Sequence, residues 1–350
     1  MPEPLLNTAS QPVPQPRNAR GLPVLLAYRT LYLGDLLSGL PALRGLAGAF
    51  PDHHRVLAVP AALVRLAEAA GVADEVLATP ELGRPPLRAP AVAVDLHGRG
   101  PLSHRVLQAM HPGRLLAFAC AEVGVEGPQW WPGEHEVHRW CRMLGWWGVA
   151  ADPGRLELDV TPAAAPAVAR GATVVHPGAS APARRWPPER WAAVAAAEQA
   201  AGRSVVITGG RAERALAGEV AALAGVPPAN NLAGLTPDAI DLAAVVAGAA
   251  RVVSADTGTA HLATALGRPS VVLFGPTPPS EWGPPPDRPQ HRALWAGERG
   301  DPRGDRPGPG LLRLTVDDVL AALAALPSPM PGCQPWLEGS APRPRGRPAP

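Results

Sequence analysis

In three segments of the sequence, side chains that can transfer protons or bind anions follow an apolar run. One segment surrounds Asp35, one surrounds Arg184, and one begins at Asp256. A carboxylate can accept a proton, and a guanidinium can bind a phosphate through two parallel hydrogen bonds. The first turn of a helix offers N–H groups to an anion. We therefore take these segments as the source of the candidate functional residues.

The first segment, VLLAYRTLYLGDLLSGLPAL, runs from a strand through Arg29 to Gly34 and Asp35, and leucines at helical spacing follow. This order puts Asp35 at the N-terminus of a helix. One interpretation is structural, with Asp35 as an N-cap that accepts backbone N–H bonds worth about 1 kcal/mol. The other is functional and needs support from the second half of the chain. The segment alone does not choose between them.

The second segment, VVHPGASAPARRWPPERW, ends a strand at Val175, turns through small residues and presents Arg184 and Arg185 before a helix that starts with prolines. A guanidinium stays charged and matches the geometry of a phosphate. Two arginines in a strand-to-helix turn thus indicate a diphosphate clamp. For either arginine, a solvated surface charge is the alternative.

The third segment, VVSADTGTAHLATALG, leads from a strand through Asp256 and Gly258 into a helix. The N–H groups of the first helical turn form an anion site, and Gly258 lets the backbone approach a phosphate closely. Thr259, Ala260 and His261 belong to this turn. Structural alternatives stay open, because Asp256 can be a helix cap and His261 a packed histidine.

The elements that must position these segments alternate between strand and helix, which is typical of βαβ units on a parallel sheet. The expected strands are residues 24–27, 55–59, 76–78, 91–95, 173–176, 204–208, 251–254 and 270–274. The expected helices are residues 35–49, 61–70, 188–201, 212–224, 238–249, 259–266 and a last one that a capping box of Thr315 and Asp318 opens. Residues 278–310 are left unassigned.

The sequence therefore predicts an α/β protein of two Rossmann-like, doubly wound domains that face each other across a cleft, with ligands at the carboxyl ends of the strands. The expected N-terminal domain covers residues 21–160 and the C-terminal domain residues 161–326. The Pro- and Ala-rich stretch 161–170 is the expected linker. Residues 1–20 and 327–350 contain few large apolar side chains and are expected to be disordered tails.

Composition excludes several classes of function. The 32 basic residues are all Arg, and the formal net charge of +2 comes from interspersed Arg, Asp and Glu, so no basic stripe indicates nucleic acid. Three cysteines without CxxC spacing argue against a disulfide framework and a zinc site. Without a signal core or a long apolar run, we expect a cytoplasmic protein that reaches a membrane only from its inner face.

Common cofactor and catalytic motifs are missing. The lack of GxGxxG after the first strand argues against a nicotinamide dehydrogenase. The lack of GxxxxGK[ST] excludes an ordinary P-loop protein. HExxH, CxxC and GxSxG are absent too, so we expect no cofactor and no metal. Two Rossmann-like domains with anion-binding turns in the second indicate a metal-independent enzyme that uses a nucleotide-diphosphate sugar.

An ordered set of motifs resembles glycosyltransferase family 9, the ADP-heptose:lipopolysaccharide heptosyltransferases, over about residues 22–285. In chain order they are GD with LPAL (34–43), VDLHG (94–98), HPGAS with RRWP (176–187), TGGRAE (208–213), NLAGLT (231–236), DTGTAHLA (256–263) and LFGPT (273–277). One such motif is weak evidence, whereas the full set in this order is specific.

The resemblance implies a GT-B fold, with an ADP-sugar held mainly by the C-terminal domain and the acceptor by the N-terminal one. It gives Asp35 the role of the base in an inverting single displacement. It gives Arg184, where the family usually has Lys, a contact with the donor phosphates. Glu213 matches a position that can hydrogen-bond the donor ribose.

Further site residues follow from the same resemblance. On the donor side they are Ser180 and the diphosphate-binding turn of Gly258, Thr259, Ala260 and His261. Weaker candidates on the acceptor side are Arg29, Asp95 and His97.

The expected partners are a nucleotide-diphosphate sugar, with ADP-heptose as the donor that the resemblance implies, and a glycolipid, glycan or metabolite acceptor. A peripheral membrane contact is left open, as is the choice among the lipid A–Kdo core, another surface polymer and a secondary metabolite. Two other functions also stay open. One is a nucleotide-sugar epimerase or hydrolase, and the other is a catalytically silent nucleotide-sugar-binding protein.

Overall fold

The computed structural model describes residues 21–327. These residues divide after Leu156 into two compact α/β units. Each unit contains one five-stranded sheet in which all neighbouring strands are parallel. Residues 1–20 and 328–350 of the expected tails lie outside the described residues.

The first unit has the strand order β3-β2-β1-β4-β5. The chain steps outward from β1 to β3 and then resumes on the other side of β1 with β4. The switch point between β1 and β4 is where open α/β sheets bind ligands. Its strands are β1 (Val24–Tyr28), β2 (His54–Val59), β3 (Glu75–Ala78), β4 (Val92–Asp95) and β5 (Arg114–Leu116), and its helices are α1 (Leu33–Ser38), α2 (Leu40–Ala49), α3 (Val64–Ala69), α4 (Leu102–Gln108) and α5 (Glu136–Trp146).

The central strands of this unit are apolar runs without alternation, since both faces of a parallel sheet are covered. All residues of β1 and β4 are buried. Their register pairs Leu25 with Val92 and Tyr28 with Asp95. The residues that follow the two strands therefore leave the sheet at the same edge.

The helix expected over residues 35–49 is two helices that meet at Gly39. Pro41 stands in the first turn of α2. A proline has no N–H to donate to the preceding turn, so it is tolerated at a helix start but not inside a continuous helix. The expectation of one helix was wrong at this point.

Three elements of the first unit, α4, β5 and α5, were not predicted from the sequence. The buried face of α5 consists of Val137, Trp140, Met143 and Leu144, together with polar Glu136 and Arg139. Apolar residues three and four apart are a helical signal. The flanking glycines, tryptophans and charged residues obscure it in the sequence.

The second unit has the strand order β10-β9-β8-β6-β7, so its switch point lies between β6 and β8. Its strands are β6 (Thr173–His176), β7 (Val205–Ile207), β8 (Arg251–Ala255), β9 (Ser270–Phe274) and β10 (His291–Trp295), and its helices are α6 (Pro188–Ala200), α7 (Arg214–Ala224), α8 (Ala239–Gly248), α9 (Gly258–Ala265), α10 (Pro279–Trp282), α11 (Pro309–Arg313) and α12 (Val316–Ala324). Within residues 21–327, no helix is both long and apolar enough to cross a bilayer.

Three stretches of the second unit bear on the expectations from sequence. Residues 161–170 form two 3-10 turns that contact α8, with Ala165 and Ala169 buried. The unassigned stretch 278–310 contains α10 and the edge strand β10, which pairs with β9. The capping box is confirmed, because the Thr315 hydroxyl accepts from the Asp318 N–H at 3.1 Å and Asp318 accepts from the Thr315 N–H at 2.8 Å.

Candidate active site

In the second unit, Arg184 lies against the turn between β8 and α9. It ends a 3-10 turn after β6 (Pro182–Arg184). Its Nη1 donates to the Asp256 carbonyl at 3.1 Å and lies 3.9 Å from the Asp256 carboxylate, while its Nη2 donates to the Ser180 hydroxyl. The fold thus brings two of the predicted segments together, although Arg184 and Asp256 are 72 residues apart in sequence.

The electrostatics of this turn depend on Asp256, which is 5% exposed. Burial raises the pKa of its carboxyl to about 6, and Arg184 acts in the opposite direction. The guanidinium of Arg184 and the buried carboxyl of Asp256 therefore lie side by side at this turn.

Helix α9 begins at the same place. Thr257 is its N-cap residue and makes no side-chain cap bond, and Gly258 is the first helical residue. Thr259 and Ala260 are buried, whereas His261 is partly exposed and packs edge-on against Trp282, with 5.8 Å between ring centroids. A helix N-terminus beside a guanidinium combines two features that attract phosphate.

Glu213 lies beside the turn that follows β6. Its carboxylate accepts from the Gly210 N–H at 2.7 Å and lies 3.9 Å from His176 Nε2. A Cβ at Gly178 would come within 2.2 Å of the Glu213 side chain. Glycine at 178 therefore leaves the space that the Glu213 carboxylate occupies, and this contact connects the HPGAS and TGGRAE motifs. Burial lowers the pKa of His176, and Glu213 partly opposes it.

Arg185 has a different environment from Arg184. Its Nε donates to the Ala179 carbonyl at 2.9 Å. This bond lies within the segment after β6 and makes no connection to the β8–α9 turn.

In the first unit, Asp35 stands in the first turn of α1, two positions after its first residue. The N-cap residue is Tyr32, so the interpretation of Asp35 as the N-cap is corrected. The Asp35 carboxylate instead accepts from the Tyr32 N–H at 3.2 Å. Burial raises the pKa of this carboxyl and is the largest influence, Arg29 lowers it, and Glu136 raises it further. A raised pKa makes Asp35 a better proton acceptor near neutral pH.

The three acceptor-side candidates differ in accessibility. Arg29 and Asp95 are fully buried. Asp95 accepts from the His97 N–H at 2.9 Å and lies 3.2 Å from His104 Nδ1. His97 keeps some exposed surface, and its Nδ1 lies 3.2 Å from the Thr30 hydroxyl. Of these candidates, only His97 can meet a molecule outside the unit without rearrangement.

Two residues near Asp35 were not predicted as site residues. Tyr32 is 69% exposed, and Glu136, the first residue of α5, is buried against Arg29. The helical spacing of Val137, Trp140 and Leu144 is the signal that would have placed Glu136 on the inner face of a helix.

Metal binding has no obvious site in the part of the chain that the structure describes. No group of three or more His, Cys, Asp or Glu side chains among residues 21–327 is arranged to hold a metal ion.

Two doubly wound parallel units define the fold class as that of the GT-B glycosyltransferases. A glycosyl transferase family 9 structure from Veillonella parvula is similar, with a TM-score of 0.69, 17% identity, and 86% of this chain and 96% of that one covered. The E. coli heptosyltransferase WaaC with ADP is similar with a TM-score of 0.63, 20% identity, and coverage of 86% and 98%.

Residues 132–303 match the family model "Glycosyltransferase family 9 (heptosyltransferase)". Lipopolysaccharide heptosyltransferase 1 of Pseudomonas aeruginosa is 41% identical over 104 residues, which are 29% of this chain and 27% of that enzyme. The match to this curated relative thus spans about a quarter of its length. Just under half of the chain is therefore similar to glycosyltransferase family 9.

Proposed function

We propose that this protein is an inverting, metal-independent glycosyltransferase that moves a heptose or similar sugar from an ADP-sugar to a hydroxyl of a glycolipid, glycan or metabolite acceptor. The observation that carries the proposal is the position of Arg184, bonded to the Asp256 carbonyl at the N-terminus of α9 and at the switch point of its sheet. The match of residues 132–303 to the family model supports it, as do a heptosyltransferase relative and a similar structure that holds ADP.

The donor phosphates have two partners in the second unit. As the bond between the sugar and the diphosphate breaks, negative charge grows on the phosphate oxygens. The guanidinium of Arg184 and the first turn of α9 stabilise that charge, which is the role that a divalent cation has in other enzymes. Glu213 binds the ribose hydroxyls, and Ser180, Gly258, Thr259, Ala260 and His261 shape the phosphate site.

The acceptor is activated in the first unit. Asp35 takes the proton of the attacking hydroxyl, whose oxygen forms the new bond to the anomeric carbon while the nucleoside diphosphate leaves on the opposite side. The raised pKa of Asp35 suits this step, since a base works best when its pKa approaches the working pH. His97 is the acceptor-side candidate with exposed surface.

The test is the substitution Asp35→Asn. The asparagine oxygen can still accept the bond from the Tyr32 N–H, so the start of α1 should persist and the melting temperature should stay unchanged. Transfer should fall by about 10²–10⁴-fold, the typical contribution of general-base catalysis. ADP affinity should hardly change. Asp52→Asn, an exposed position of the same unit, is the matched control and should keep full activity.

The assay is run with and without excess chelator, and we expect equal rates. Transfer that survives Asp35→Asn within a few-fold would remove Asp35 from the mechanism. Sugar release to water without acceptor would favour a hydrolase, and nucleotide binding without turnover would favour a binding protein. The cytoplasmic location and a contact with the inner membrane face remain predictions of the sequence.

A further inference from the structure

Arg29 is a fully buried arginine whose contacts converge on the turn that carries Asp35. Its Nε donates to the carbonyl of Asp35 at 2.7 Å, and its Nη2 lies 3.2 Å from the Ser38 hydroxyl. Its Nη1 donates to the carbonyl of Leu96, just after β4. One guanidinium therefore ties α1 to both strands of the switch point.

Glu136 holds the other side of this guanidinium. It is 4% exposed, and its Oε1 lies 3.2 Å from Arg29 Nη2 and accepts from Trp140 Nε1 at 2.6 Å. Its Oε2 accepts from Arg139. The Arg29 guanidinium also lies 4.7 Å from the ring centroid of Trp140. The Arg29 guanidinium thus makes hydrogen bonds along its edge and stacks on an aromatic ring with its face. A lysine ammonium, which is a point charge, cannot make both kinds of contact.

Gly39 completes the arrangement at the junction of α1 and α2. A Cβ at this position would lie 3.0 Å from Arg29 Nε and 3.3 Å from the Asp35 carbonyl. Glycine thus allows the helix junction to sit directly on the guanidinium. The turn that presents Asp35 is shaped around Arg29.

We propose that the buried Arg29–Glu136 pair is a positioning device for Asp35, which fixes the carboxylate for proton transfer and balances its charge from two sides. Both are positioning residues, because burial keeps them from touching a substrate. The inference rests on the proposed function of Asp35 as the base.

The two partners act on Asp35 with opposite signs. The charged groups that face it are Arg29 at the end of β1 and Glu136 at the start of α5, and α1 carries no other charged side chain. Arg29 lowers the pKa of Asp35, and Glu136 raises it, in addition to the effect of burial. Loss of Arg29 and loss of Glu136 should therefore shift the acid limb of the pH profile of kcat in opposite directions.

The experiment compares Arg29→Lys, Arg29→Met and Glu136→Gln in the full chain. Arg29→Lys keeps the positive charge but loses the planar set of guanidinium N–H donors. We expect kcat to fall by about 10–100-fold, the cost of a misplaced catalytic group, while the KM for the donor stays unchanged. Arg29→Met should move the acid limb to higher pH and Glu136→Gln to lower pH. Glu122→Gln, in an exposed ion pair with Arg105 of the same unit, is the control and should change neither quantity.

The pKa of Asp35 is also followed directly by ¹³C NMR of the carboxyl groups, with its signal assigned from Asp35→Asn. This readout needs no turnover, so it separates failure of the inference from failure of the proposed function. A charge left alone in the interior can unfold a protein. The double variant Arg29→Met, Glu136→Gln removes both charges of the pair, and its Asp35 pKa should lie between those of the single variants.

Full kcat in Arg29→Lys would overturn the positioning role. An Asp35 pKa that moves in the same direction in Arg29→Met and Glu136→Gln, or in neither, would overturn the balance of charges. If Asp35→Asn retains transfer while the NMR shifts appear as expected, the proposed function is wrong and the pair acts on a carboxylate with another role.

Discussion

Arg184 and Arg185 are neighbours in sequence with different partners in the fold. Arg184 reaches the start of α9, whereas Arg185 bonds back to the turn after β6. Arg184→Ala should therefore weaken ADP binding by about 1.5–3 kcal/mol, the range for a hydrogen bond to a charged group. Arg185→Ala should cost much less. Calorimetric titration of both variants with ADP checks this, and equal losses would contradict the assignment of Arg184 as the phosphate ligand.

Asp256 makes the stability of the protein depend on pH. Its pKa of about 6 in the folded state lies above the ordinary value of 3.8, so protonation stabilises the fold. This stability is complete below pH 3.8 and is lost as the pH rises through about 6. A pKa difference of about 2 corresponds to about 3 kcal/mol over the whole range.

Between pH 5 and pH 7.5, the unfolding free energy of the wild type should fall by about 1 kcal/mol more than that of Asp256→Asn. Urea unfolding at the two pH values measures this difference. Asp317→Asn, exposed on α12, should follow the wild type. If the wild type and Asp256→Asn respond equally to pH, the buried carboxyl of Asp256 does not titrate in this range.

At the level of elements, the turn after β6 and the short 3-10 turn before α7 fit together through Gly178 and Glu213. Gly178→Ala forces Glu213 from its bond to the Gly210 N–H, because the added Cβ would lie 2.2 Å from the carboxylate carbon. Because the carboxylate can move aside, the cost in stability should be about that of the lost hydrogen bond, about 0.5–1.5 kcal/mol. We expect weaker ADP binding as well, since Glu213 is the proposed ribose ligand.

The four proteins of a double-mutant cycle test this fit. Once Glu213→Ala removes the clash, Gly178→Ala should add little further loss of melting temperature or ADP affinity. Gly218→Ala in α7, where a Cβ meets no atom within 4 Å, is the control and should not destabilise. Additive losses would show that Gly178 is required for another reason.

At the scale of the whole molecule, the open question is which nucleotide the full chain selects. We expect ADP to bind more tightly than UDP or GDP, because residues 132–303 match a heptosyltransferase family model and the proposed donor is an ADP-sugar. Calorimetry of the three nucleotides on the full chain decides it, with ADP-heptose then tried as donor. Equal affinities, or a preference for UDP, would contradict the proposed donor.

The sequence alone was sufficient for features that depend on neighbours along the chain. Strands β6 and β9 have the predicted bounds, and the capping box at Thr315 forms as expected. Long apolar runs followed by Gly, Asp or Arg mark where a buried strand ends and a turn begins. For the same reason, the segments of Asp35, Arg184 and Asp256 were found at strand ends.

Only the tertiary structure decided what those residues meet. Arg29 and Glu136 are 107 positions apart, and no local pattern pairs them. Arg29, an acceptor-side candidate from the sequence, is buried in the fold and donates to the carbonyl of Asp35. The glycine at position 39 has the same kind of explanation, because an added Cβ there would lie 3.0 Å from Arg29 Nε.

The direction of the pKa shifts of Asp35 and Asp256 could not be predicted from the sequence either. A helix N-terminus by itself would depress the pKa of Asp35, and a nearby arginine would do the same for Asp256. In the fold, burial outweighs both influences and raises both pKa values. Local order along the chain determines which residues reach a turn, but the loss of water around them depends on packing between distant segments, and that loss sets their chemistry.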